Sequence, residues 1–268
     1  MSFQLVYETK NDAQNCCYKG YSFDKQFVLD HFPNEVRKIL IDAEGTNDLV
    51  EEFGTLNSTG FDETALVKIF KLSFTSIEPW RIGEAFGEFF LTEEFKVRFW
   101  YNHLRDLKNP KASDTGTDLV GFIDVDQETL FVFGEVKTSD DKNSPPNVVY
   151  GRTGLKKQIA ALCSNREVVS NLVRYLAFKV YSLSESDPFR VDFEKALTAY
   201  LKSHKRIQLM GILVRDTPVN ENDLKSRYDE YKHKIDKDMI IEFLCLYVPV
   251  PIKNFSSTVN IEEVEKYD

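Results

Sequence analysis

The chain has 268 residues, with 34 Lys and Arg against 43 Asp and Glu, for a formal net charge of −9. That balance argues against a protein that holds a polyanion unaided, while 42% hydrophobic and 13% aromatic content is enough for a substantial core. No apolar run reaches the length of about 18 residues that a membrane-spanning helix needs. The N-terminal MSFQLVYETKND lacks the basic start and apolar stretch of a secretion signal, so a cytoplasmic protein with no membrane association is expected.

In chain order, a strand is expected around residues 3–7, then a helix over residues 25–40 in which Pro33 marks a break or kink. Residues 41–63 read as an acidic, glycine-containing connector. From Ile39 to Val67 stand Asp42, Glu44, Asp48, Glu51, Glu52, Asp62 and Glu63, with no Lys or Arg. Such a stretch is usually a solvated surface, and it is also suited to dock on a basic partner. A short helix or strand is expected over residues 64–70. From Pro79 the chain carries Ile82, Ala85, Phe86, Phe89 and Phe90 at helical spacing, while Glu84 and Glu88 stack one turn apart on the other stripe. Like charges at that spacing repel, and either water or a bound cation offsets them. Glu88 stands closer to the apolar face of the two.

Two apolar strands follow, Leu119 to Val125 and Leu130 to Val136, around the turn residues Asp126, Gln127, Glu128 and Thr129. Hairpin geometry about that turn makes opposed position numbers sum to about 253 to 255, so Asp118 lies across from Glu135 or Lys137. Glu135 and Lys137 share a face and Val136 points the other way. Three charged groups therefore converge at the open end of an apolar hairpin. One reading is an ion cluster at a sheet edge, where lysine blunts edge pairing. The other is a hydrolytic site: two carboxylates supply hard oxygen ligands to Mg²⁺, and an ammonium steadies an attacking water or developing phosphorane charge.

Beyond Ser144-Pro145-Pro146, the stretch from Gly151 to Leu162 reads as a helix carrying Arg152, Lys156, Lys157 and Gln158. Its lysines bind phosphate or lie on a solvated first turn. Helices are expected over residues 167–181, 189–202 and 221–232, and strands over 207–214 and 239–248, a set that extends the sheet into a three-layer α/β domain. The tail, residues 260–268, is short and acidic. Cys16, Cys17, Cys163 and Cys245 have no zinc-site spacing and read as reduced, mostly buried thiols. The four histidines are scattered singly.

A lone Asp followed at a distance by Glu-x-Lys on an apolar strand resembles the PD-(D/E)xK nuclease superfamily, the fold of restriction endonucleases and Holliday-junction resolvases. Here the first half is Thr117-Asp118 rather than Pro-Asp, and the second is Phe131-Val132-Phe133-Gly134-Glu135-Val136-Lys137. The resemblance implies a restriction-endonuclease-like three-layer α/β/α core with a mixed central sheet. Residues 79–268 would form this nuclease domain, and residues 1–78 an N-terminal extension with the acidic connector. It implies Asp118, Glu135 and Lys137 as the catalytic set, with Asp118, Glu135 and either Glu84 or Glu88 holding Mg²⁺, for which Mn²⁺ can substitute. Arg152, Lys156, Lys157 and Gln158 would lie near the scissile phosphate. With helix, hairpin and basic helix in this order, residues 80–162 resemble the HamA family, the nuclease subunits of the Hachiman antiphage defence system. Members of that family degrade DNA beside a helicase partner, HamB. A catalytically idle nuclease-fold interaction subunit and a nuclease acting on RNA are the alternatives.

Overall fold

The computed structural model describes residues 3–9, 15–54, 77–106 and 116–260. Strands β1 (Phe3–Glu8), β2 (Cys16–Phe23), β3 (Leu119–Val125), β4 (Glu128–Ser139), β5 (Gln208–Arg215) and β6 (Ile240–Tyr247) form one sheet in the order β1-β2-β6-β5-β4-β3. The four inner strands run parallel and the two edge strands antiparallel to their neighbours, so the sheet is mixed. Every residue of β5 is buried, as a parallel strand covered on both faces requires.

Helices cover both faces. Against one lie α1 (Lys25–His31) and α2 (Arg37–Leu40), joined by a π-helical turn at Phe32–Val36. Asp24 caps α1 by accepting a hydrogen bond from the Phe27 N–H at 2.7 Å. Pro33 lies in the π turn, where its missing donor and ring widen the helix rather than end it. Next come α3 (Ala43–Gly54) and α4 (Pro79–Phe95). The opposite face carries α5 (Asn147–Tyr150), α6 (Leu155–Ser164), α7 (Arg166–Val180), α8 (Pro188–Lys202) and α9 (Asn222–Tyr231). A last short helix, α10 (Phe255–Thr258), returns to the first face, where Phe255 meets Phe32. Two cores result, one built on Phe27, Phe32, Phe86 and Phe90, the other on Phe131, Phe133, Ile159 and Phe193. Among the described residues no helix is long and apolar enough to cross a membrane.

From residue 79 onward the expected strands and helices are present, with the second hairpin strand running longer than expected, Glu128–Ser139 rather than residues 130–136, and two features upstream differ. Strand β2 was not anticipated: Cys16 and Tyr18 enter one core and Tyr21 and Phe23 the other, so burial on both sides removes the polar–apolar alternation that marks a strand. Part of the acidic connector is helix α3, started by the Asp42 carboxylate accepting from the Gly45 N–H at 3.2 Å. Strand β2, within residues 1–78, pairs in parallel with β6 from Cys16↔Ile241 to Ser22↔Tyr247. The element expected at residues 64–70, the acidic pair Asp62 and Glu63, and the tail beyond residue 260 lie outside the described residues.

Helix α4 approaches β4 unusually closely through its two glycines. A Cβ on Gly83 would overlap Thr138 Oγ1, and one on Gly87 would stand 3.2 Å from Val136 Cγ2. The Thr138 hydroxyl is buried and has no hydrogen-bond partner among the described residues. Gly83→Ala should therefore destabilise the protein by about 1–3 kcal/mol through overpacking, measured by denaturant unfolding. Adding Thr138→Ala should recover most of that loss, and purely additive effects of the two substitutions would contradict the proposed contact.

Candidate active site

The hairpin of β3 and β4 turns on only two residues. Asp126 and Gln127 have φ of 48° and 67°, the paired left-handed conformation of a two-residue hairpin loop, and Glu128 and Thr129 belong to the strand. Register pairs run from Val125↔Glu128 to Leu119↔Gly134, which places Asp118 across from Glu135. The tip is clasped by Lys202 and Arg206, each 2.9 Å from a Glu128 oxygen. At the open end the Thr117 hydroxyl donates to the Gly134 carbonyl at 2.7 Å. Thr117 thus extends the pairing of the two strands by a side-chain bond beyond Leu119↔Gly134.

The three expected catalytic side chains converge. The Val136 N–H donates to Asp118 Oδ2 at 2.7 Å, and Lys137 Nζ lies 3.5 Å from that oxygen and 3.4 Å from Glu135 Oε2. Val136 enters the core beneath α4, while Phe131 and Phe133, on the same strand face as Glu135 and Lys137, enter the opposite core. The Glu135 side chain is 1% exposed, against 18% and 19% for Asp118 and Lys137. Burial first, then the Asp118 carboxylate, push the Glu135 carboxyl from 4.5 up to about 8, with Lys137 opposing the shift only in part. One ammonium is too little positive charge for this pair.

A cavity of about 230 Å³ opens over these residues. Asp118, Lys137 and Glu84 line it together with Gln158, His103, Arg81 and Trp80. Glu84 of α4 therefore shares the space with Asp118 and Lys137, while Glu135 does not line it. Glu88, the one favoured by its closeness to the apolar face, does not line that cavity; it faces a larger one, of about 610 Å³, that also reaches Asp118. Burial, with Asp42 adding to it, pushes Glu88 up to about 7.

Of the four residues expected near the phosphate, Gln158 alone lines the smaller cavity, and its buried Oε1 has no hydrogen-bond partner. Lys156 turns aside to pair with Glu230 at 3.2 Å, and Arg152 and Lys157 are exposed outside both cavities. Sequence reasoning did not single out His103 or Arg81: a lone histidine carries no signal, and Arg81 could have been found only as the residue one turn before Glu84. The cysteines are all free, with Cys16 and Cys245 buried and the other two half-buried.

Among the described residues no group of three or more His, Cys, Asp and Glu is disposed to hold a metal ion. What is present is a carboxylate pair with an ammonium between its members. No protein-family profile matches the chain, and no curated protein is significantly similar to it.

The raised Glu135 value has a consequence for stability. The unfolded chain releases this proton near pH 4.5 and the folded protein holds it to about 8, so stability falls as pH rises through that window. In chelator-treated protein, melting temperatures measured from pH 5 to 9 should decline more for the wild type than for Glu135→Gln. Parallel curves for the two proteins would show that Glu135 ionises normally.

Proposed function

We propose that this protein is a Mg²⁺-dependent nuclease of the PD-(D/E)xK type, with a restriction-endonuclease-like core, that hydrolyses DNA phosphodiester bonds. We further propose that it is the effector subunit of a HamA-type antiphage defence system, working with a helicase partner. The observation that carries the reading is the meeting of Asp118, Glu135 and Lys137 within 3.5 Å contacts at the open end of one hairpin. Convergence of all three favours an active site over an idle fold.

The donor set suits a hard divalent cation. Mg²⁺ is commonly held by one or two carboxylates with the remaining positions filled by water and substrate phosphate, so Asp118 and Glu135 suffice without a third protein ligand. Glu84, which lines the cavity with Asp118 and Lys137, would hold a coordinated water or complete the site. The bound cation would supply charge for the phosphate and a water of lowered pKa. Lys137 presents a compact ammonium that can hold the attacking water or stand against charge developing on the phosphoryl oxygens. The unpartnered Gln158 carbonyl offers an acceptor for a water at the cavity wall.

Charge distribution supports the need for a partner. The net charge is −9, and the basic residues Lys156, Lys202 and Arg206 are committed to internal pairs with Glu230 and Glu128. Helix α3 exposes Glu44, Asp48, Glu51 and Glu52. Binding of a nucleic-acid backbone depends on free Lys and Arg, so intrinsic affinity should be weak and easily abolished by salt. A helicase would supply that affinity, and α3 would dock on it or keep DNA off the wrong surface.

With Mg²⁺ or Mn²⁺ present, Glu135→Ala should reduce cleavage to background while the protein stays folded, and chelation should do the same to the wild type. Turnover persisting in Glu135→Ala would sink the assignment. Lys137→Arg should also be inactive with its fold retained, because a wide, fixed guanidinium cannot replace a compact ammonium; full activity would make Lys137 an edge-strand residue only. At physiological salt the isolated protein should bind DNA with a dissociation constant of about 10⁻⁶ to 10⁻⁴ M or weaker. Tight binding without the helicase, and no association between the two proteins, would overturn the partner assignment.

A further inference from the structure

The larger cavity, of about 610 Å³, begins at Thr117 and Asp118 and is walled by aromatic rings: Phe99, Trp100, Tyr101, Phe122, Tyr175 and Phe189. Its volume falls within the range of about 300–1,000 Å³ typical of small-ligand sites. Three of its rings are anchored from behind. Trp100 Nε1 donates to Asp192 Oδ2 at 2.7 Å. Lys179 donates to the Tyr101 hydroxyl at 3.1 Å and stands over the Tyr101 and Tyr175 rings, 4.2 and 5.0 Å from their centroids. The Tyr175 hydroxyl donates to Asp106. Despite these anchors Trp100 is 39% exposed, so a large flat surface stands ready without further ordering.

Polar groups in the lining set what can enter. Among the described residues that line the cavity there is no Lys or Arg, so away from the Asp118 edge nothing meets a phosphate, while Asn171 and His103 among the rings can meet the edge of a heterocycle. A flat, neutral, hydrogen-bonding ring joined to a phosphate at the Asp118 edge satisfies both walls. In a duplex the bases are paired and stacked and cannot enter such a cavity without being extruded.

We propose that this cavity holds an unpaired nucleobase next to the scissile phosphate, so that the substrate at this site is single-stranded DNA. This rests on the nuclease reading above and specifies its substrate. Base stacking on aromatic rings tolerates any sequence, so cleavage of single strands should show little sequence preference.

The chain contains two tryptophans, Trp80 and Trp100. The full-length Trp80→Phe, Glu135→Gln protein therefore reports on Trp100 alone and does not cut. A short oligothymidylate should quench its fluorescence, whereas the same strand paired with oligoadenylate should not, and thymidine monophosphate should bind far more weakly than the oligomer. In the catalytically active protein Trp100→Ala should weaken single-strand affinity by about tenfold, mainly through KM, and Trp100→Phe should restore it. Equal quenching by the duplex, monophosphate binding as tight as the oligomer's, or unchanged single-strand kinetics in a folded Trp100→Ala protein would each overturn the proposal. Failure of the nuclease reading looks different: the wild type would cut neither strand form, whatever the fluorescence titration gave. Cleavage of duplex and single strands alike without quenching would leave the nuclease standing and remove the base cavity.

Discussion

Two carboxylates pressed together with one ammonium between them are an unfavourable arrangement, and much of the architecture near them serves to enforce it. Glu135 is held out of water on β4, and Asp118 is tied across from it by the Val136 N–H. A register slip of one residue would reverse the faces of Glu135 and Lys137 and separate the group. The register is fixed at both ends of the hairpin, by the two-residue turn clasped through Glu128 and by the Thr117 hydroxyl on the Gly134 carbonyl. Parallel pairing of β4 with β5, from Val132↔Gln208 to Ser139↔Arg215, holds the other edge of the same strand.

The glycines of α4 complete this arrangement. Gly83 and Gly87 let the helix backbone settle onto Thr138 and Val136, the β4 residues that point away from the catalytic face. The helix thereby reaches the strand closely enough for Glu84 to enter the cavity over Asp118 and Lys137, with Glu88 one turn further along in the aromatic cavity. Each Gly-Glu pair thus combines a close contact with a cavity wall: the glycine sets the distance and the glutamate lines the space. The acidic surplus of the chain fits the same picture, since the carboxylates at the site favour a cation and discourage a phosphate backbone from entering anywhere but its edge.

The convergence of the three charged side chains was legible because they lie on one hairpin. Asp118, Glu135 and Lys137 are related by local register, and alternation along a strand is a short-range rule. Gln158 was also legible, as part of the helix that follows. The neighbouring cations were not: Lys156 stands two residues from Gln158, yet its partner Glu230 comes from α9, a relation no local pattern contains. Lys202 and Arg206 likewise pair with Glu128, which stands more than 70 residues away in the chain. Strand β2 was hidden because both of its faces are buried, and α3 because its acidic, glycine-containing sequence resembles a connector. His103 came to the cavity only through tertiary packing.

The central claim is that Asp118 and Glu135 hold a divalent cation beside Lys137. Anomalous diffraction from crystals of the protein soaked in Mn²⁺ tests it most directly. The account predicts one strong peak within about 2.0–2.3 Å of oxygens from both carboxylates, with waters filling the remaining positions. Well-ordered Asp118 and Glu135 side chains with no peak between them, while Mn²⁺ occupies another site, would contradict it.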